Sequence, residues 1–173
     1  MDTPTHISRC AKLISLEQEG RLLRCWVVCP CGGQSFKLLY PGQKKKNDEG
    51  EVPCTLQVGD KFFFLVKAIC VDCNTEFLLF DKDYHGWDGY LCHNDNVALV
   101  PRPSLESWKC QECDSESHSV VVEFSYGDFD DIKEDLGRIQ IDNYWDAFEW
   151  VCMNIKCDNC GRATSKWVDY ESA

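Results

Sequence analysis

A mainly β fold, a small α+β protein of two similar units with long inserts and one short helix in the second, is what three features of this 173-residue chain predict. The first is four close cysteine pairs: Cys29-Pro30-Cys31, Cys70-Val71-Asp72-Cys73, Cys110-Gln111-Glu112-Cys113 and Cys157-Asp158-Asn159-Cys160. The second is the residue after each pair. Gly32, Asn74, Asp114 and Gly161 are all types that tolerate a left-handed backbone, which a chain leaving a metal-binding turn needs. The third is spacing. With 38 residues between Cys31 and Cys70 and 43 between Cys113 and Cys157, each half reads as pair, strand, long insert, strand, pair, strand.

Two thiolates one or two residues apart can grip one tetrahedral Zn2+ from a tight turn, and a second pair completes a closed four-sulfur site. Cys29, Cys31, Cys70 and Cys73, with Cys110, Cys113, Cys157 and Cys160, therefore point to two structural Zn2+ ions. The other five of the 13 cysteines precede Ala11, Trp26, Thr55, His93 and Met153, so the following residue sorts eight ligands from five bystanders. The pair at Cys29 has one spacer where the others have two, and Cys25, four residues upstream, is its rival for the site.

Landmarks outside the pairs also repeat. Phe80 and Trp167 each lie seven residues beyond a closing pair, with Asp83-Tyr84 and Asp169-Tyr170 shortly after, and apolar runs at 62–66 and 148–151 before. The ligand turns and their flanking strands resemble the knuckles of zinc-ribbon proteins. That resemblance implies two zinc-ribbon-like units in tandem, spanning 1–100 and 104–173 and separated by the Pro101-Arg102-Pro103-Ser104 seam.

Two other cysteine chemistries stay open. A secreted disulfide scaffold conflicts with the odd cysteine count and with the lack of a basic, apolar leader between Met1 and Arg9. A redox-active Cys-x-x-Cys opens a helix, whereas these pairs precede strand-like runs. No stretch approaches the roughly 18 apolar residues of a membrane span, so a cytoplasmic protein without a membrane partner is expected. Its 44% hydrophobic content supports a core. The formal charge of −11 would reach about −15 with two four-thiolate zinc sites, each carrying −2. Such acidity disfavours general affinity for phosphate backbones and favours a basic partner.

Along the chain, 12–28 reads as a hairpin about Gln18-Glu19-Gly20, its second strand carrying Cys25 as a small core residue. Ser35–Tyr40 is a strand, followed by an exposed polar loop that contains Lys44-Lys45-Lys46. Val52–Val58 is expected to pair with Lys61–Ile69 around Gly59-Asp60, with both faces covered and Cys54 packed there. Glu76–Phe80 is a strand, 81–90 a loop over the sheet edge, and Val97–Val100 a last short strand of the first unit. In the second unit, Ser119–Phe124 is a strand. Phe129, Ile132 and Leu136 then recur at helical spacing, with Asp128 to cap and Gly137 to stop a short helix. Arg138–Ile141 returns to strand form, 144–155 is aromatic-rich and carries Cys152 inward, and Thr164–Val168 closes the unit.

Function is read from charge. Residues 32–69 carry net +2 and 114–156 net −8, which singles out an acidic face at Asp128, Asp130, Asp131, Glu134 and Asp135. The expectation is a non-enzymatic binding protein that recognises another protein of basic character, as an adaptor, inhibitor or immunity factor does. The alternative is nucleic-acid binding through Lys44, Lys45 and Lys46 of the basic insert. An enzyme built on Asp83, His85 and Asp88, or a purely structural subunit, are further readings. For an enzyme no complete set of acid, base and nucleophile is visible.

Overall fold

Strict alternation of side-chain burial organises the second unit. In β11 (Ser117–Ser125), His118, Val120, Val122 and Phe124 are buried while their neighbours are half-exposed, and β12 (Trp150–Cys157) buries Val151, Met153, Ile155 and Cys157 in the same way. A period of two with one covered face is the signature of an antiparallel strand on a core. The computed structural model describes residues 3–17, 21–91, 101–136 and 143–172.

Thirteen strands are found among these. β1 (Ala11–Glu17), β2 (Leu22–Val27), β11, β3 (Phe36–Tyr40), β8 (Leu65–Cys70) and β9 (Glu76–Asp81) follow one another across one curled antiparallel sheet. β10 (Glu106–Ser107) joins β3, β12 joins β11, and β13 (Ala163–Glu171) joins β12. Two hairpins stand apart, β4 (Lys44–Asn47) with β5 (Gly50–Pro53), and β6 (Leu56–Val58) with β7 (Lys61–Phe63).

The two halves repeat one register. In β3–β8 and again in β11–β12, the residue five past an opening pair lies opposite the first cysteine of a closing pair: Phe36 faces Cys70, and His118 faces Cys157. Across each closing turn, the residue before the first cysteine pairs with the third residue after the second: Ile69 with Glu76, Lys156 with Ala163. Each closing hairpin then breaks register, at Val66/Lys67 and at Met153/Ile155. The three-stranded units meet through their first strands, where Phe36 pairs with His118.

Strands from both sides of the Pro101–Ser104 seam thus share one sheet, and both contribute to one core. Trp108 lies edge-on between Tyr40 and Trp167, Phe124 packs on Phe148 at 4.7 Å between ring centres, and Phe64 stacks on Tyr170 at 5.0 Å. Burying each such ring contributes about 1.5–3 kcal/mol.

Several sequence expectations change here. Val52–Val58 does not pair with Lys61–Ile69 along its length: only 56–58 meets 61–63, while β5 pairs with β4 and β8 with β3 and β9. Phe62 is accordingly 52% exposed, because its hairpin lies off the main sheet. The lysine run forms a strand, β4, though an exposed one. Cys54 and Cys152 are only half-buried. The expected loop at 81–90 contains a short helix, α1 (Gly86–Leu91), and α2 (Phe129–Leu136) is the helix expected in the second unit. No helix among the described residues is long and apolar enough to cross a membrane. The hairpin turn at 18–20, Cys92 and His93, the strand at 97–100, Gly137 and the strand at 138–141 lie outside the described residues.

Candidate metal centres

Each cysteine pair folds as a knuckle held by its own backbone. In three of them the first cysteine's N–H donates to the carbonyl five residues on, and its carbonyl accepts from the N–H four residues on. Cys70 uses Thr75 and Asn74, Cys110 uses Ser115 and Asp114, and Cys157 uses Arg162 and Gly161, all at 2.8–2.9 Å. The single-spacer pair makes the same turn one residue shorter: Cys29 N–H donates to Gly33 O, and Gly32 N–H to Cys29 O, both at 2.8 Å. Closing so tight a turn drives the next residue left-handed, and φ is +93° at Gly32, +60° at Asn74, +57° at Asp114 and +77° at Gly161.

The topology then brings the knuckles together in twos. Cys29, Cys31, Cys70 and Cys73 form one group and Cys110, Cys113, Cys157 and Cys160 the other, with the sulfurs of each group all within 4.8 Å of one another. Closest approaches are 3.4 Å (Cys29 to Cys73), 3.7 Å (Cys31 to Cys70), 3.6 Å (Cys110 to Cys160) and 3.6 Å (Cys113 to Cys157). A tetrahedron with metal–sulfur bonds of about 2.3 Å has edges near 3.8 Å, so both clusters have the size and donor chemistry to hold a metal ion. A disulfide needs about 2.05 Å, and all 12 described cysteines are free. Cys25, the rival ligand, is buried in the core of β2 and belongs to neither cluster.

Local donors favour thiolate at one corner of each cluster. The Thr75 hydroxyl, 3.1 Å from Cys73 Sγ, and the Thr75 backbone N–H lower that thiol to about 6. The Asn159 side chain and the Ser115 N–H do the same for Cys113. Burial pushes Cys29 up to about 12. A metal bound by four thiolates overrides such differences, since its charge stabilises every anion around it.

The other candidate residues separate. Asp128 Oδ1 accepts from Asp130 N–H at 2.9 Å at the start of α2, and Asp130, Asp131 and Glu134 are exposed; the Asp135 side chain lies outside the described set. His85 is turned inward. Its ring stacks on His6 at 3.8 Å, and its Nδ1 accepts from Asp81 N–H at 3.0 Å. Asp83 pairs with Lys82 at 2.6 Å and with Arg102 at 3.6 Å, while Asp88 is exposed on α1. Asp83, His85 and Asp88 therefore do not converge on a shared reacting position.

Strand alternation divides the lysine run. Lys44 and Lys46 line a shallow recess of about 610 Å3 beside the second cluster, joined by Lys109. Lys45 lies on the other side of the hairpin, in a cleft of about 300 Å3 with Lys166 and Trp167. The hairpin is fastened to the second cluster by residues that charge and spacing did not single out. Gln111 Nε2 donates to Glu51 O at 2.7 Å, Arg162 donates to Glu49 O at 2.9 Å, and Ser165 N–H donates to the Glu49 carboxylate at 2.6 Å. Gln111 is a spacer inside a knuckle, and Arg162 follows one, so both side chains project from fixed turns. No protein-family model, curated protein or solved structure matches the chain.

Proposed function

We propose that this chain is a non-enzymatic binding protein, held by two structural Zn2+ ions in zinc-ribbon-like units, that recognises a basic protein through the exposed acidic face of α2. Zn2+ suits the donor sets because four thiolates in tetrahedral array favour it over harder, oxygen-seeking ions. A four-sulfur site keeps no open position for water or substrate, so the metal's work is structural. The observation that carries the binding reading is the exposure of Asp130, Asp131 and Glu134 together on one short helix, in a chain of net charge −11. Such a surface steers cationic partners and fixes their orientation.

Native mass spectrometry should find two zinc ions per chain; none or one would remove the metal half of the reading. For the partner, reversing Asp130, Asp131 and Glu134 to lysine should abolish a salt-sensitive protein captured from the source cells. Capture that survives the reversal removes α2 from the account. The second reading, nucleic-acid binding, is favoured by the convergence of Lys44, Lys46 and Lys109 on one recess. Lys44 is already engaged there by Glu51 at 3.3 Å and Trp108 at 5.1 Å. Retardation of single-stranded RNA or DNA that is lost steeply with salt, and lost in Lys46→Glu, would support this second reading over the first.

A further inference from the structure

The β1–β2 hairpin ends the main sheet on one side, and among the described residues β1 has no strand beyond it. Two other margins each carry a contact from another segment. The turn Thr5–Ile7 lies on β9, with His6 Nε2 3.0 Å from Leu79 O, and Ser165 of β13 is bonded to Glu49 of the β4–β5 hairpin. An uncovered edge offers a row of backbone donors and acceptors to any chain that can lie along it.

This edge is seven residues long and apolar. Leu13, Ile14 and Leu16 are 53%, 41% and 44% exposed, and Trp26 of β2, opposite Lys12 on the other face of the hairpin, is 43% exposed. Those four are most of the large exposed hydrophobics in the described chain, so the apolar surface is concentrated here. A register shift between Leu13 and Ser15 falls at two adjacent exposed residues, Leu13 and Ile14, near the middle of the strand.

Charge identifies the occupant. Exposed Arg9 and Lys12 stand at the start of the strand and exposed Glu17 at its end. Two copies of this strand laid antiparallel set each basic end against the other's acidic end, whereas a parallel arrangement sets like against like. The net charge of −11 repels two copies at long range, but screening over about 8 Å at physiological salt leaves the touching ends to decide. We propose that β1 pairs antiparallel with β1 of a second copy, making the protein a twofold-symmetric dimer through a continuous sheet. The pairing is independent of the reading of α2; with both in place, each dimer presents two acidic faces.

Sedimentation equilibrium on the full, zinc-loaded chain tests this, with far-UV circular dichroism confirming that every variant keeps its fold. The wild type should be a reversible dimer at micromolar concentration. Lys12→Glu and Glu17→Lys, each turning two symmetry-related attractions into repulsions, should each raise the dissociation constant about tenfold. Glu17 also sits 3.8 Å from Arg24 of its own chain, so a single reversal could act locally. The charge swap Lys12→Glu/Glu17→Lys decides, because it should restore wild-type association, and the two single variants mixed together should associate with each other in preference to themselves. A wild type that stays monomeric, including one that captures a strand of some other protein, overturns the proposal. So does a dimer indifferent to both reversals, or one that the swap fails to rescue.

Discussion

His6 and His85 are half-buried and stacked side by side, where desolvation favours their neutral forms. Burial holds His6 down to about 4 and His85, with His6 as a further cause, down to about 3. A histidine whose folded value lies below its unfolded value of about 6.5 takes up its proton more readily when unfolded. Stability is therefore intact above pH 6.5 and falls as pH drops towards 4, by roughly 1–2 kcal/mol per ring at pH 5. Thermal melts should show it: between pH 7 and pH 5, His6→Phe should lose less melting temperature than the wild type, and an equal loss would clear the pair of this role. The knuckle exits carry a separate prediction. At positive φ a β-branched side chain costs about 1–2 kcal/mol, so Gly161→Val should destabilise by that amount, while Asp114→Gly should be neutral or slightly stabilising. Urea denaturation of both variants checks the sign.

The β4–β5 hairpin shows how one element depends on another far along the chain. Its strands are short and β4 is exposed throughout, and hairpins of that size are marginal alone. Gln111 and Arg162, anchored in the second cluster's knuckles, supply the missing bonds. Loosening that cluster with Cys113→Ser, or removing the clamp with Gln111→Ala/Arg162→Ala, should raise amide exchange in 44–53 while β11 and β12 stay protected in the clamp variant. Unchanged exchange in the hairpin would mean that Val52 and Pro53, both buried, hold it by themselves.

At the scale of the molecule, the two clusters sit at the ends of strands that share one core, so the metals and the sheet should stand or fall together. Structural zinc in such sites contributes roughly 10–16 kcal/mol, comparable to or above the net stability of an ordinary domain. Chelation should abolish the folded circular dichroism signal, and Cys31→Ser and Cys160→Ser should each shift a single melting transition. Two separate transitions, one per variant, would show that the units fold independently. Trp167→Ala, emptying a site between Trp108 and the β13 core, should cost about 3–5 kcal/mol and shift that same transition.

The ligand turns were legible in the chain itself, because a knuckle is a local object. Its sulfur spacing and the need for Gly, Asn or Asp at the exit are set within six residues, and the observed φ values fall on those positions. Most strands were legible for a similar reason, since alternation is a property of neighbours. What sequence could not supply was partnership. That β11 carries β12 on one edge and β2 and β3 end to end on the other, that Phe36 meets His118, and that a spacer glutamine holds a hairpin 60 residues away depend on how whole surfaces pack. The chain thus determined its cysteine turns and its β character by short-range sterics and donor chemistry. Only the tertiary structure decided how the two halves join in one sheet and which edge is left uncovered, because those depend on burying apolar area contributed by distant segments.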